Sequence, residues 1–184
     1  MEFIPLKLRG TFEVRLQPYG DERGYFMRTY DDVVFAQHGL SCSWVQENQS
    51  HSTRKGTLRG LHFQKEPDCE TKIVRCVSGE ILDVFVDLRA DSPTYGKWDS
   101  LVLSERSQNA VYIPRGFAHG FLTLVDHAII TYKVDARYAP QAEVGLRWND
   151  PDIGIKWPLF DYVISEKDRK LPMLSELTPL RPQT

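Results

Sequence analysis

The chain reads as an all-β protein, a sandwich or barrel of short strands with a few short peripheral helices, and three features of the sequence predict it. Residues 80–89 alternate, with Leu82, Val84, Val86 and Leu88 set against Asp83, Phe85, Asp87 and Arg89; a period of two marks a half-buried strand. Further β-rich runs follow at short intervals, separated by Gly, Pro, Asn, Asp or Ser, as in sandwiches and barrels. Helix signals are confined to two brief stretches.

In chain order, residues 31–38 predict the first helix, with Asp31 or Asp32 as N-cap and Gly39 ending it. Residues 73–77 and 80–89 flank the turn dipeptide Ser78-Gly79 and predict a hairpin. Short strands follow at 101–103, 111–113, 121–125 and 128–134. In the last of these Ala128, Ile130, Tyr132 and Val134 share one face, which points Tyr132 to the interior, while Thr131 and Lys133 point away. A core tyrosine with a satisfied hydroxyl and a tyrosine serving a site both fit that position. Ser165-Glu166-Lys167-Asp168 predicts a second helix capped by Ser165. The Pro-rich segment 171–184 is expected to be an extended, loosely held tail. There is no internal repeat or linker, so residues 1–184 are expected to form one domain.

Composition narrows the function. With 41% hydrophobic and 26% charged residues the chain is an ordinary soluble globular protein. A net charge of −2 argues against nucleic acid as a partner, because phosphate binding calls for a basic excess or stripe. The opening residues Met1 to Lys7 place an acid and a proline where a signal peptide needs an apolar run, and no stretch approaches membrane-spanning length; a cytoplasmic protein without membrane contact is expected. Cys42, Cys69 and Cys76 are odd in number and lack C-x-x-C spacing, so free structural thiols are expected.

Two motifs carry the chemistry. Gly56-Thr57-Leu58-Arg59-Gly60-Leu61-His62-Phe63-Gln64 has the spacing of a first cupin motif, and Pro114-Arg115-Gly116-Phe117-Ala118-His119 that of the second. Metal-binding cupins carry another histidine two residues after the first, where this chain has Gln64, a poor ligand, and Lys72 would repel a cation in the same pocket. No metal and no cofactor are therefore expected. His62 is then either structural or, beside a carboxylate, a general base. Arg59 and His62 have opposite parity, so a shared site requires a twist or bulge, for which Gly60 is well placed.

The strings Gly20-Asp21-Glu22-Arg23-Gly24-Tyr25-Phe26, Val45-Gln46-Glu47-Asn48, Leu58-Arg59-Gly60-Leu61-His62-Phe63-Gln64, Tyr112 to Phe121, Tyr132-Lys133, Tyr138-Ala139-Pro140 and Arg147-Trp148-Asn149-Asp150-Pro151 closely resemble the dTDP-4-dehydrorhamnose 3,5-epimerase family, in its order, from about Gly20 to Asp168. The resemblance implies a cupin, or jelly-roll, β-barrel that inverts C3 and/or C5 of a nucleotide-linked 4-keto-6-deoxy-hexose through an enolate. It implies His62 as base, Tyr132 as acid, Asp168 as the partner of the histidine and Lys72 as the cation near the enolate oxygen. Taken alone, Asp168 also fits a residue of the Ser165 cap, and Lys72 a surface lysine. The resemblance assigns diphosphate contacts to Arg23 and Arg59. It adds Gln46, Glu47, Asn48, His119, Tyr138, Glu143 and Lys167 as further substrate contacts. It also implies a homodimer in which N-terminal strands within residues 1–50 extend the partner's sheet and Arg23 serves the partner's site. One departure bears on the nucleotide: Arg28 stands where the family pattern has Glu, at a position associated with nucleotide contact, and this charge reversal leaves the thymidine preference open. Three alternatives remain open on the sequence: a single-centre epimerase or ketoisomerase, a sugar-nucleotide-binding cupin without activity, and a metal-dependent oxygenase.

Overall fold

The computed structural model describes residues 1–40 and 43–182; Cys42 lies outside them. The strands are β1 (Glu2–Pro5), β2 (Phe12–Arg15), β3 (Pro18–Asp21), β4 (Gly24–Met27), β5 (Gln46–Ser52), β6 (Leu58–Gln64), β7 (Lys72–Ser78), β8 (Glu80–Asp87), β9 (Trp98–Ser104), β10 (Asn109–Ile113), β11 (Phe117–Thr123), β12 (Ala128–Val134) and β13 (Glu143–Gly145). Two short helices, α1 (Asp32–Gln37) and α2 (Glu166–Arg169), accompany them. Both helices start as the sequence predicts. Asp31 accepts a hydrogen bond from the Val34 N–H at 3.2 Å, and Ser165 accepts one from the Asp168 N–H at 3.0 Å. Among the described residues no helix is long and apolar enough to cross a membrane.

The strands form a six-stranded sheet in the order β1-β2-β10-β7-β12-β5 and a five-stranded sheet in the order β13-β6-β11-β8-β9, with the hairpin β3-β4 joined to neither. The two large sheets pack as a jelly roll rather than a fully closed barrel. Between them lies a core that includes Val74, Ile81, Phe85, Leu103, Val111, Ile113 and Ile130. Each such side chain, moved fully out of water, contributes about 1.5–3 kcal/mol. β1, β2 and β5 belong to the six-stranded sheet of their own chain, so among the described strands that start within residues 1–50 only those of the β3-β4 hairpin join neither large sheet.

Two expectations change here. β8 is buried on both faces, not half-buried. Phe85 enters the inter-sheet core, while Val84, Val86 and Leu88 point outward into a second core with Leu61, Phe63, Leu146 and Ile153. Segment 171–182 seals that second core. Leu174 and Leu177 pack on it, Leu180 is only 3% exposed, and the Leu180 N–H donates to the Leu88 carbonyl at 2.7 Å. An outward apolar row on a central strand needs a cover, and the segment expected to be a loose tail provides it. Cys69 and Cys76 are buried free thiols, both pushed up to about 12 chiefly by burial, so both stay protonated and unreactive.

Candidate active site

The site begins with an irregularity in β6. His62 lies opposite His119 of β11 and Arg59 opposite Phe121, so Gly60 and Leu61 together face Gly120 alone. This two-against-one bulge restores parity and turns Arg59 and His62 to the same interior side. Gly60 has φ +113, and a Cβ there would lie 2.8 Å from the Gly120 Cα and the His119 carbonyl oxygen. Only glycine fits so close a backbone approach.

The bulge also shapes the electrostatics. His62 Nε2 lies 2.8 Å from Asp168 Oδ1, and the Gly60 N–H donates to Asp168 Oδ2 at 3.1 Å. Burial pushes the Asp168 carboxyl up. The His62 hydrogen bond and charge, with the Gly60 N–H, outweigh that and hold it below the usual range. An ionised carboxylate can only accept, so Nε2 carries the hydrogen and Nδ1 of the neutral ring keeps its lone pair. The Ser165 cap accepts from the Asp168 backbone N–H, which leaves the carboxylate free to accept from His62 and the Gly60 N–H. Both expected placements of Asp168 are therefore compatible.

His62 and Tyr132 stand where two adjoining chambers meet. One, of about 270 Å³, is lined also by Gln46, Asn48, Lys72, Tyr138 and Glu143. The other, of about 570 Å³, is lined also by Arg59, Lys167 and Asp168. Tyr132 packs against the inter-sheet core as its parity predicts, and its hydroxyl is held above the usual phenol range by burial and by the charge of Glu70, against an opposing pull from Arg59. Arg59 is steadied by Ser52 Oγ and the His51 carbonyl, each at 3.2 Å. At the rim, Glu143 accepts from the Tyr138 hydroxyl at 2.9 Å and from Lys167 Nζ at 2.8 Å. Gln46 accepts from the Tyr138 N–H at 3.2 Å and donates to Asn48 at 3.1 Å.

Four of the expected site residues lie elsewhere. Arg23 pairs with Asp21 at the exposed tip of β3-β4. Arg28 pairs with Asp31 at 2.9 Å beside α1. Glu47 points to the opposite face of β5, because parity opposes it to Gln46 and Asn48, and pairs with Lys133 at 2.7 Å. His119 is 8% exposed and bonds Asp83 Oδ2 at 2.8 Å beneath the chambers rather than lining them.

Two contributors escaped the sequence. Gln64 occupies the position of the missing metal-motif histidine, and its amide is spent on structure. Its oxygen accepts the Ala139 N–H at 2.6 Å, and its nitrogen donates to the Asp68 and Arg137 carbonyls at 2.8 and 3.1 Å. It thereby ties the Tyr138 loop to the segment before β7. Glu70 lines the smaller chamber and pairs with Lys72 at 2.9 Å. It stands two residues before Lys72, the spacing that shares a strand face, and that was the one signal available for it.

The family model described as dTDP-4-dehydrorhamnose 3,5-epimerase matches residues 5–176. The chain is 49% identical over 177 residues to the dTDP-4-dehydrorhamnose 3,5-epimerase of Methanothermobacter thermautotrophicus, covering 95% of each chain. The crystal structure of the Bacillus anthracis dTDP-4-dehydrorhamnose 3,5-epimerase with TDP and PPi bound matches with TM-score 0.91 and 42% identity, over 94% of this chain and 98% of that one. The Legionella pneumophila dTDP-6-deoxy-D-glucose-3,5-epimerase in complex with dTDP-4-keto-L-rhamnose matches with TM-score 0.94 and 35% identity, over 100% and 99% of the two chains. With the fold, the sequence and nearly the full length in agreement, the chain belongs to the dTDP-4-dehydrorhamnose 3,5-epimerase family.

Proposed function

We propose that the protein is an epimerase that inverts C3 and/or C5 of a nucleotide-linked 4-keto-6-deoxy-hexose, converting dTDP-4-dehydro-6-deoxy-D-glucose to dTDP-4-dehydro-L-rhamnose. The observation that carries this reading is the placement of His62, tied to buried Asp168, and Tyr132 at the junction of the same two chambers. A ketone at C4 acidifies the hydrogens at C3 and C5, because the resulting carbanion is delocalised onto the carbonyl oxygen. The substrate thus supplies its own electron sink, and the protein has only to move protons and stabilise one negative charge. His62 Nδ1 removes the proton, and Asp168 stabilises the imidazolium that results. The Tyr132 hydroxyl returns a proton from the opposite face. Lys72 faces the developing enolate oxygen from the smaller chamber, and Arg59 receives the diphosphate, for which a planar guanidinium is well suited.

The test is proton NMR of candidate 4-keto-6-deoxy sugar nucleotides in heavy water. The native chain is expected to exchange the C3 and C5 hydrogens into solvent, with loss of exchange in His62→Ala and loss of inverted product in Tyr132→Phe. Binding without exchange would leave a binding protein rather than an enzyme, and product stereochemistry separates double epimerisation from single inversion or ketoisomerisation.

We also propose a cytoplasmic homodimer in which β3-β4 brings Arg23 to the partner's chambers. In support, the hairpin joins neither sheet and exposes Tyr25 and Phe26 at 61% and 69%. A monomeric, fully active species in light scattering would refute the shared site.

A further inference from the structure

The floor of the smaller chamber holds a charge that the reaction above does not use. Glu70 Oε1 lies 2.9 Å from Lys72 Nζ, and both side chains are nearly out of water, at 13% and 9% exposure. Glu70 Oε2 is approached by the Gln64 amide at 3.4 Å, so the carboxylate is held between an ammonium and a fixed amide. Thr71, between the pair, is anchored by its N–H to Asp135 Oδ1 at 2.6 Å. The segment before β7 is thereby fixed, with Glu70 and Lys72 turned to a chamber that Tyr132 also lines.

We propose that Glu70 is a positioning residue of this site, which holds the Lys72 ammonium at the chamber floor and sets the charge facing Tyr132. The proposal rests on the epimerase reading for its link to turnover, but its geometry is independent of that reading. An unpaired ammonium on a four-carbon stem is free to swing, whereas one anchored to a carboxylate presents its remaining donors in a fixed direction. A fixed donor stabilises an enolate oxygen without reorganising when charge develops. The same carboxylate makes a phenolate at Tyr132 unfavourable, so the hydroxyl keeps its proton until it is needed.

Charged and titratable groups share cavities with Tyr132 on several sides: Tyr30, Glu47, Arg75 and Lys133 line a third, smaller cavity with it, and the others line the two chambers. β6 contributes Arg59 and His62, and α2 contributes Lys167 and Asp168. The β7 side contributes Glu70 and Lys72, and the rim contributes Tyr138 and Glu143. Of these, Glu70 raises the phenol and Arg59 lowers it. Removing the Glu70 charge leaves burial alone to oppose the Arg59 effect.

The experiment compares native protein, Glu70→Gln and Glu70→Asp by two readouts. The first is titration of the Tyr132 ring followed by NMR of carbon-labelled tyrosine, the resonance being assigned by its loss in Tyr132→Phe. The second is the pH profile of kcat/KM with the 4-keto sugar nucleotide. In Glu70→Gln the Tyr132 titration and the alkaline limb of kcat/KM are expected to move down together, with kcat falling about tenfold or more and KM little changed. Glu70→Asp, which keeps the charge, is expected to restore both toward native values. If Glu70→Gln unfolds, Glu70→Ala takes its place as the neutral variant: a fall in the Tyr132 titration and the alkaline limb that Glu70→Asp does not show supports the charge assignment, and a Tyr132 titration at the native position overturns it. An unmoved Tyr132 titration in folded Glu70→Gln also overturns the proposal. Should the native chain show no exchange of substrate hydrogens, the epimerase reading fails, while the Tyr132 titration still decides what Glu70 does.

Discussion

Two imidazole–carboxylate pairs face each other across neighbouring strands, and they differ in everything but length. His62–Asp168 and His119–Asp83 both measure 2.8 Å, and His62 and His119 are register partners. The His62 side chain is 33% exposed and opens on both chambers, whereas that of His119 is 9% exposed. Asp168 has both oxygens bonded, one by His62 and one by the Gly60 N–H, and its carboxyl is held low. Asp83 is fully buried, its Oδ1 finds no partner, and burial raises it against the opposing charges of His119 and Lys72. A short contact between an imidazole and a carboxylate therefore does not define a catalytic pair. What separates the two is whether the carboxylate has enough donors to stay ionised, and whether the ring reaches space that a substrate can enter.

The largest expected effect that would break this contrast is on turnover. His62→Ala and Asp168→Asn should each lower kcat for solvent exchange at the carbons beside the ketone by about 10²–10⁴-fold, the usual worth of a positioned general base. Asp83→Asn should cost less than about tenfold, since it lies beneath the chambers. Equal losses in Asp168→Asn and Asp83→Asn, measured by deuterium incorporation, would abolish the distinction.

Next comes the pH dependence of stability, where the two acids should act with opposite sign. Asp168 is depressed on folding, so its contribution is present above its ordinary value of 3.8 and is lost as pH falls through the folded value. Asp83 is raised, so its burden is absent at low pH and grows as pH climbs from 3.8 through the folded value. Urea unfolding across the acid range should show Asp168→Asn flattening the acid loss of stability, and Asp83→Asn removing a decline toward neutral pH. A smaller effect sharpens the comparison from the other end. Ser165→Ala, which deletes the cap of the short helix carrying Asp168, should cost about 1 kcal/mol in chemical denaturation, with a lower kcat through looser placement of the carboxylate. An unchanged kcat would mean that the contacts with His62 and Gly60 of β6 suffice to place Asp168.

How much of this was legible beforehand depends on the range of the interaction. The inward face of Tyr132, the caps of both helices and the need for a bulge at Gly60 follow from local periodicity and backbone sterics, and the structure has each of them. The outward core of β8 was not legible, because alternation tells which residues share a face but not which face meets a cover. The cover comes from 171–182, which its proline content marked as extended without marking it as docked. β5 carries almost no apolar residue, so its strand character rests on pairing with β12 rather than on propensity. The resemblance named His119 and Glu47 among the substrate contacts, but the fold puts one beneath the chambers and the other on the far face of its strand. Glu70 went unread because its meaning depends on Lys72 and Tyr132 being brought to one chamber by the fold.

The docked segment 171–182 has a consequence for how the protein is made. Asp168 lies 106 residues after His62, on the stretch of chain that leads directly into that seal. During synthesis the strands of both sheets emerge from the ribosome before the carboxylate that His62 needs. A chain ending before α2 lacks both the carboxylate that partners His62 and the segment that covers the outward core of β8. Pairing of His62 with Asp168 and closure of the second core therefore depend on the same last stretch of chain, so the site and the seal are completed together.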